Sequence, residues 1–261
     1  MQTPYLTTSW DDGHPLDRKL AEMLAKHGLP ATFYIPFRSS RPVLEARAVR
    51  ELATRFEIGA HTMSHPDLLR TAPDLARAEI VDSKHYIEDT TGGSCAVFAP
   101  PGGCYRRSHL AMVEQAGYRG MRTVELMSTR PPIRHGTIAV LATTLQLCPH
   151  PPATYMRNAA KRWQPGNLVT YLTHAHRRTL EQTAESLVAH VLKNGGVFHL
   201  WGHSWELEQH GLWTTLEAVL THLGHAAHLF RLVSNGALAH PEMETPQNEP
   251  LAGTVSHLEL P

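Results

Sequence analysis

Short β-branched or aromatic runs alternate along this chain with longer stretches of helical periodicity, and that alternation restricts the fold more than any other feature. Tyr5 to Trp10 reads as a strand. Leu16 to His27 follows with apolar residues at Leu16, Leu20, Met23 and Leu24, and Gly28 sits where a helix C-terminus favours glycine. Ala31 to Pro36 reads as a second strand, a helical segment lies near Val43 to Phe56, and Glu57 to Ala60 reads as a third strand. Pro73 to Thr90 is a long helical pattern opened by proline at an early position. The alternation continues through strand-like Ala96 to Ala99, helical Arg107 to Ala116 closed by Gly117, and strand-like Tyr118 to Thr123. Residues 128–150 are irregular and proline-rich, with one strand candidate at Ile138 to Thr143. Helical patterns over Tyr155 to Trp163 and Thr179 to Lys193 come next, then a strand at Val197 to Trp201, a helix at Trp213 to Leu223 and a last strand at His228 to Val233.

Roughly six to eight βα units in one chain imply an α/β protein whose parallel sheet is closed, or nearly closed, into a barrel. An open doubly wound sheet remains an alternative, but no G-x-G-x-x-G follows the first strand, which removes support for a dinucleotide fold. No linker or internal repeat forces a second domain, so residues 1–238 are expected to form one catalytic barrel. Residues 239–261, polar and without periodicity from about Pro241, are expected to be a loosely packed tail.

Lys+Arg and Asp+Glu both number 24, so the total charge offers no basic field to attract nucleic acid or an anionic membrane. Cys95, Cys104 and Cys148 form no C-x-x-C pair and read as reduced thiols. The N-terminus lacks the basic and apolar segments of a secretory signal, and no run approaches the ~20 apolar residues of a membrane span. The expected location is therefore cytoplasmic. With 19 histidines in 261 residues, pairs spaced i, i+4 arise by chance, and the chain has two, 61/65 and 199/203. Histidine spacing alone decides nothing.

Position narrows the choice, because three polar clusters fall just after strands, where βα barrels carry their sites. The first is Ser9-Trp10-Asp11-Asp12-Gly13. Two adjacent carboxylates fit a divalent cation held by one with the other free as a base, and they equally fit a solvated Asp-Asp-Gly turn. In the second, His61-Thr62-Met63-Ser64-His65-Pro66, two imidazoles four apart and one carboxylate would make a 2-His-1-carboxylate set with open positions. The third runs from Phe198 to Glu206. His203 falls at the strand mouth, while His199, deeper in the strand, reads as a hydrogen-bonded core histidine.

The order D-D-G, H-T-x-x-H-P, P-P-G-G and L-x-x-H, spread from about residue 7 to 206, resembles the polysaccharide deacetylases of carbohydrate esterase family four. Each motif is weak alone, and the ordered set at strand ends is specific. The resemblance implies a distorted (β/α)7-type barrel holding a divalent metal, most often Zn2+. It also implies a hydrolase that removes acetyl from an N-acetylated amino sugar. Carried over by position, Asp11 is the base, Asp12, His61 and His65 are the metal ligands, and His203 is the general acid. Leu200 would line the acetyl pocket, and the backbone N–H of Gly102, after Pro101, would help hold the oxyanion.

One departure stands out. The family's arginine in the third motif, which steadies the base, is replaced here by Ala99. Arg122, at the end of another strand, either supplies the missing cation or is a surface arginine. Glu206 either orients His203 or faces solvent, and Trp10 and Trp205 either stack on a sugar or pack internally. The same residues also fit hydrolysis of a non-carbohydrate amide or cyclic imide, or a sugar-binding relative without activity. The partner expected is an N-acetylated sugar, with no nucleic acid and no membrane span; the sequence leaves the oligomeric state open.

Overall fold

The first strand, β1 (Tyr5–Asp11), is buried at every residue although it contains two threonines and a serine. Those hydroxyls are tolerated because each has a partner: Thr7 reaches Asn235 Oδ1 at 2.9 Å, Thr8 donates to the Pro30 carbonyl at 2.8 Å, and Ser9 meets His199 Nε2 at 2.8 Å. The structure, a computed structural model, describes residues 3–161 and 163–240. Further strands are β2 (Thr32–Ile35), β3 (Glu57–Ala60), β4 (Val97–Phe98), β5 (Gly120–Arg122), β6 (Ile133–His135), β7 (Ile138–Leu141), β8 (Leu145–Gln146), β9 (Val197–Gly202) and β10 (Arg231–Leu232).

The strands form one sheet in the order β6-β7-β5-β4-β3-β2-β1-β9-β8, with β10 beside β1. Every pairing is parallel except β6 with β7. β7 and β8 stand far apart in this order, yet only residues 142–144 separate them in the chain. One bent stretch therefore runs along β5 at its start and along β9 at its end, curling the sheet back on itself. Counted as one broken strand, it joins β1, β2, β3, β4, β5 and β9 in a ring of seven. The expected distorted (β/α)7-type barrel is the fold observed.

Helices Asp17–Lys26, Ala46–Ala53, Pro73–Thr91, Arg107–Gln115, Leu180–Asn194 and Trp213–Ala226 cover the outside. Helix 46–53 is shorter than the periodicity suggests, because Glu45 is extended (ψ 154°) and the chain enters the helix only after it. Residues 152–174 form a hairpin of two helices, Pro152–Lys161 and Pro165–His174, where the sequence suggested one. Pro165-Gly166 resembles a breaker, but proline in a first turn opens a helix without losing a hydrogen bond. Strand β6 and helix Ser204–Gln209 are too short to impose a period and were not expected. The last expected strand shrinks to Arg231–Leu232.

No helix among the described residues is long and apolar enough to cross a membrane. Of the expected tail, Ala239 is buried at the edge of the core, and 241–261 lie outside the described residues.

Candidate active site

β1 ends on Asp11, and the two following residues take left-handed backbone angles, Asp12 at φ 77° and Gly13 at φ 58°. A Cβ on Gly13 would come within 2.7 Å of Ile35 Cγ2, so glycine is required there for space as well as for angle. This abrupt turn sends the two neighbouring carboxylates to different partners. Asp11 pairs with Arg122, and Asp12 faces the histidines.

The histidine loop begins where β3 ends. His61 is buried, and its Nδ1 lies 2.7 Å from the Ala99 carbonyl, which directs Nε2 toward Asp12. Thr62 and His65 are both left-handed, at φ 67° and φ 56°. Two contacts hold this strained turn: Glu79 accepts the N–H groups of Met63 and Ser64 at 2.7 and 2.8 Å, and Thr62 Oγ1 accepts that of His65 at 3.1 Å. The Nε2 atoms of His61 and His65 stand 3.5 and 3.0 Å from Asp12 Oδ1. One ligand atom from each of the three residues falls within 4.8 Å of the others.

Asp12 Oδ1 is buried without a hydrogen-bond partner, although its other oxygen accepts from Trp205 Nε1 at 2.8 Å. Burial works to raise its pKa, and the adjacent His61 and His65 outweigh that effect and hold it well below the carboxylate range. A buried anionic oxygen turned toward two imidazole nitrogens suits a divalent cation, and a His-His-Asp donor set suits zinc among others.

Arg122, at the end of β5, is wholly buried. It donates to Asp11 Oδ1, and its guanidinium stands 4.9 Å from the Tyr34 ring centre and 5.1 Å from that of Trp201. Of the two sequence readings for Arg122, the surface arginine is therefore excluded. His203, just past β9, places Nε2 3.9 Å from Asp11 Oδ2, and its Nδ1 lies 2.7 Å from Glu206 Oε2. Burial would lower the His203 pKa, but Glu206 and Asp11 beside it raise it overall. Glu206 moves the opposite way: burial would raise it, and His203 holds it down. Of its two readings, orientation of His203 is the one the geometry favours.

Other expected residues fare differently. Trp10 is fully buried with its ring against Gly202, so it has no open face for a sugar. That expectation is corrected: the residue precedes a strand end but points into the core. Trp205 is tied to Asp12, and the Arg41 guanidinium lies 3.5 Å from its ring centre. Leu200 is buried in the core cluster, opposite Thr8 and Leu145 in the sheet. Pro101 opens a 3-10 turn over Pro101–Gly103, in which Gly102 takes φ 60°. The Gly102 N–H has no hydrogen-bond acceptor among the described residues, while Gly103 and Cys104 donate back to Pro100 and Pro101. His199 is the buried core histidine expected, held at Ser9 and at the Ala142 carbonyl (3.0 Å), and burial pushes its pKa down to about 3.

Sequence reasoning missed two features. Gln146 donates to Glu206 Oε2 at 3.1 Å and meets His150 Nε2 at 2.7 Å, extending the His203 chain to the end of β8. Asp17 is wholly buried, neither carboxylate oxygen is hydrogen-bonded, and burial raises its pKa to about 8. No local pattern marks either residue.

The fold and the site together define a (β/α)-barrel with an Asp-His-His cluster and an Asp–His pair at the same strand ends. The polysaccharide deacetylase family model matches residues 2–121, and over that region the chain belongs to the polysaccharide deacetylase family. It is 32% identical over 105 residues to a chitooligosaccharide deacetylase of Rhizobium leguminosarum bv. phaseoli, covering 38% of this chain and 45% of that one. It is 30% identical over 122 residues to an uncharacterized 30.6 kDa protein of Geobacillus stearothermophilus, covering 45% and 44%. The chain thus spans less than half the length of these curated relatives. Among solved structures, one from Mycobacterium smegmatis superposes with a TM-score of 0.65 over 91% of this chain and 90% of its own, at 13% identity. The chitin deacetylase of Colletotrichum lindemuthianum gives 0.57 over 91% and 88%, at 15% identity. At such identities these two support the fold alone.

Proposed function

We propose that this chain is a metal-dependent hydrolase that removes acetyl from an N-acetylated amino sugar. The observation carrying this reading is the juxtaposition of the Asp12–His61–His65 cluster with the Asp11–His203 pair. Asp12, His61 and His65 would hold a divalent ion, with Zn2+ best suited to the donors. Such an ion, when bound, supplies Lewis acidity that makes a water more acidic and an amide carbonyl more electrophilic.

The protein's own groups divide the remaining work. Asp11 takes the proton of the attacking water, with the fixed charge of Arg122 against its other oxygen. The unengaged N–H of Gly102 is available to an oxygen that gains negative charge, a contribution of roughly 3–4 kcal/mol for one good donor. His203 gives its proton to the departing amine, which cannot leave as an anion near neutral pH. Glu206 holds the opposite face of that ring and Gln146 holds Glu206, so the donor nitrogen is Nε2.

The test is acetate release from N-acetylglucosamine oligomers by protein loaded with zinc, beside an Asp11→Asn variant. Wild type should release acetate, and the variant should keep its metal while losing ~10²–10⁴ in kcat. Metal-loaded protein that releases no acetate from sugars but opens other amides or cyclic imides would overturn the substrate assignment.

A further inference from the structure

The neutral total charge conceals an uneven distribution. Between Glu125 and Glu181 the sequence contains no Asp or Glu, while Arg130, Arg134, Arg157, Lys161, Arg162, Arg177 and Arg178 all fall there. Glu125 itself is turned inward, bound by Arg130 at 2.5 and 2.7 Å and by Asn167 at 2.8 Å. The middle of this acid-free stretch is the helical hairpin 152–174.

The hairpin has two unlike sides. Its inner side is anchored. Tyr155 and Tyr171, one from each helix, stack with ring centres 4.3 Å apart. Asn158 binds the Val124 carbonyl and the Leu126 N–H at 2.9 and 3.1 Å, just beyond β5. Its outer side is apolar and exposed. Of nine large apolar side chains exposed among the described residues, four lie within 156–172: Met156, Trp163, Val169 and Leu172. Val169 and Leu172 are three apart and share a helix face. Trp163, at the turn between the helices, is 90% exposed and held at φ 53°, an unusual angle for a bulky residue. Arg157, Lys161, Arg177 and Arg178 are exposed around this patch, and none is ion-paired with a described residue.

We propose that the outer side of this hairpin docks on an anionic phospholipid surface. The apolar residues, tryptophan above all, would enter the headgroup boundary while the surrounding cations meet lipid phosphates. A soluble anionic polymer would use the cations but leave Val169, Leu172 and Met156 without purpose, and the uniform positive sign disfavours self-association of this face. Because the hairpin follows the C-terminal end of β8, it lies at the end of the barrel that carries His203 and Asp12. Docking would bring that end toward the lipid, where a sugar carried on a lipid would be met. The inference does not depend on the proposed reaction.

The experiment is sedimentation of the full chain with vesicles of phosphatidylcholine alone and with vesicles containing about one-third phosphatidylglycerol. Wild type should bind the anionic vesicles at least ~10-fold more tightly, with binding weakened by added salt. Trp163→Ser/Leu172→Ser and Arg157→Glu/Lys161→Glu should each reduce it by about tenfold or more while their circular dichroism spectra match wild type. Absence of binding to anionic vesicles, or equal binding by wild type and both folded variants, would overturn the proposal. So would a wild-type dimer in solution that Trp163→Ser/Leu172→Ser dissociates, since a second copy would then occupy the patch.

Discussion

Residues 2–121 bring Asp11, Asp12, His61 and His65 to the site, whereas residues 122–240 bring Arg122, Gln146, His203 and Glu206. In the first region each group belongs to a short motif whose backbone angles are set locally: the left-handed Asp12-Gly13 turn, and the Thr62 to His65 turn fastened to Glu79. In the second region the groups are far apart in sequence and meet only in space. Arg122 lies 111 positions from Asp11, and Gln146 lies 60 from Glu206. A metal needs fixed donors at fixed distances, so its ligands resist rearrangement. A supporting charge needs only the right sign near the right oxygen. Arg122 can therefore stand in for the arginine that Ala99 displaces.

The contrast predicts steep losses in the first region and graded ones in the second. His65→Ala should abolish stoichiometric metal by elemental analysis and lower kcat/KM by ~10³ or more; one retained metal per chain would break the ligand assignment. Arg122→Ala leaves the buried Asp11 without its cation, at a cost of about 3–5 kcal/mol in stability. Its kcat should fall by ~10² with metal content unchanged, and unchanged kinetics would remove Arg122 from the site.

Glu206→Gln should act more gently and through pH. Protonated His203 is the proposed acid and Glu206 helps raise its pKa, so activity should fail as pH rises through that raised value. Without the Glu206 charge, this alkaline limb should move to lower pH by about one unit, with a loss near tenfold at neutral pH. An unmoved limb would reduce Glu206 to a packing role.

Asp17→Asn should have the smallest effect on rate and a visible one on stability. The folded chain holds the Asp17 proton up to about pH 8, whereas an unfolded carboxyl of ordinary pKa 3.8 has already released it. Across that window the folded state binds more protons, so stability falls with rising pH by up to about 1.4 kcal/mol per unit. The asparagine variant should lose this slope in denaturant titrations repeated at several pH values. A slope equal to wild type would show that Asp17 titrates normally.

The sequence by itself determined the barrel class and the metal cluster. Alternating periods mark strands and helices because each segment must bury one kind of face, and sites gather at strand ends in parallel barrels. Asp12, His61 and His65 were legible because their motifs end strands in the right order, not because histidines are plentiful. The tertiary structure alone decided the rest. Whether Arg122 is a surface cation or the partner of Asp11 depends on the β5 position in the ring, and no local pattern records that. Trp10 was misread because a strand end fixes where a residue lies along the barrel but not which way its side chain points. The second hairpin helix was lost to Pro165-Gly166, which looks like a stop until the following turns find a surface to pack on. Local periods carry the information for local structure; pairings between distant groups exist only after the chain has closed the ring.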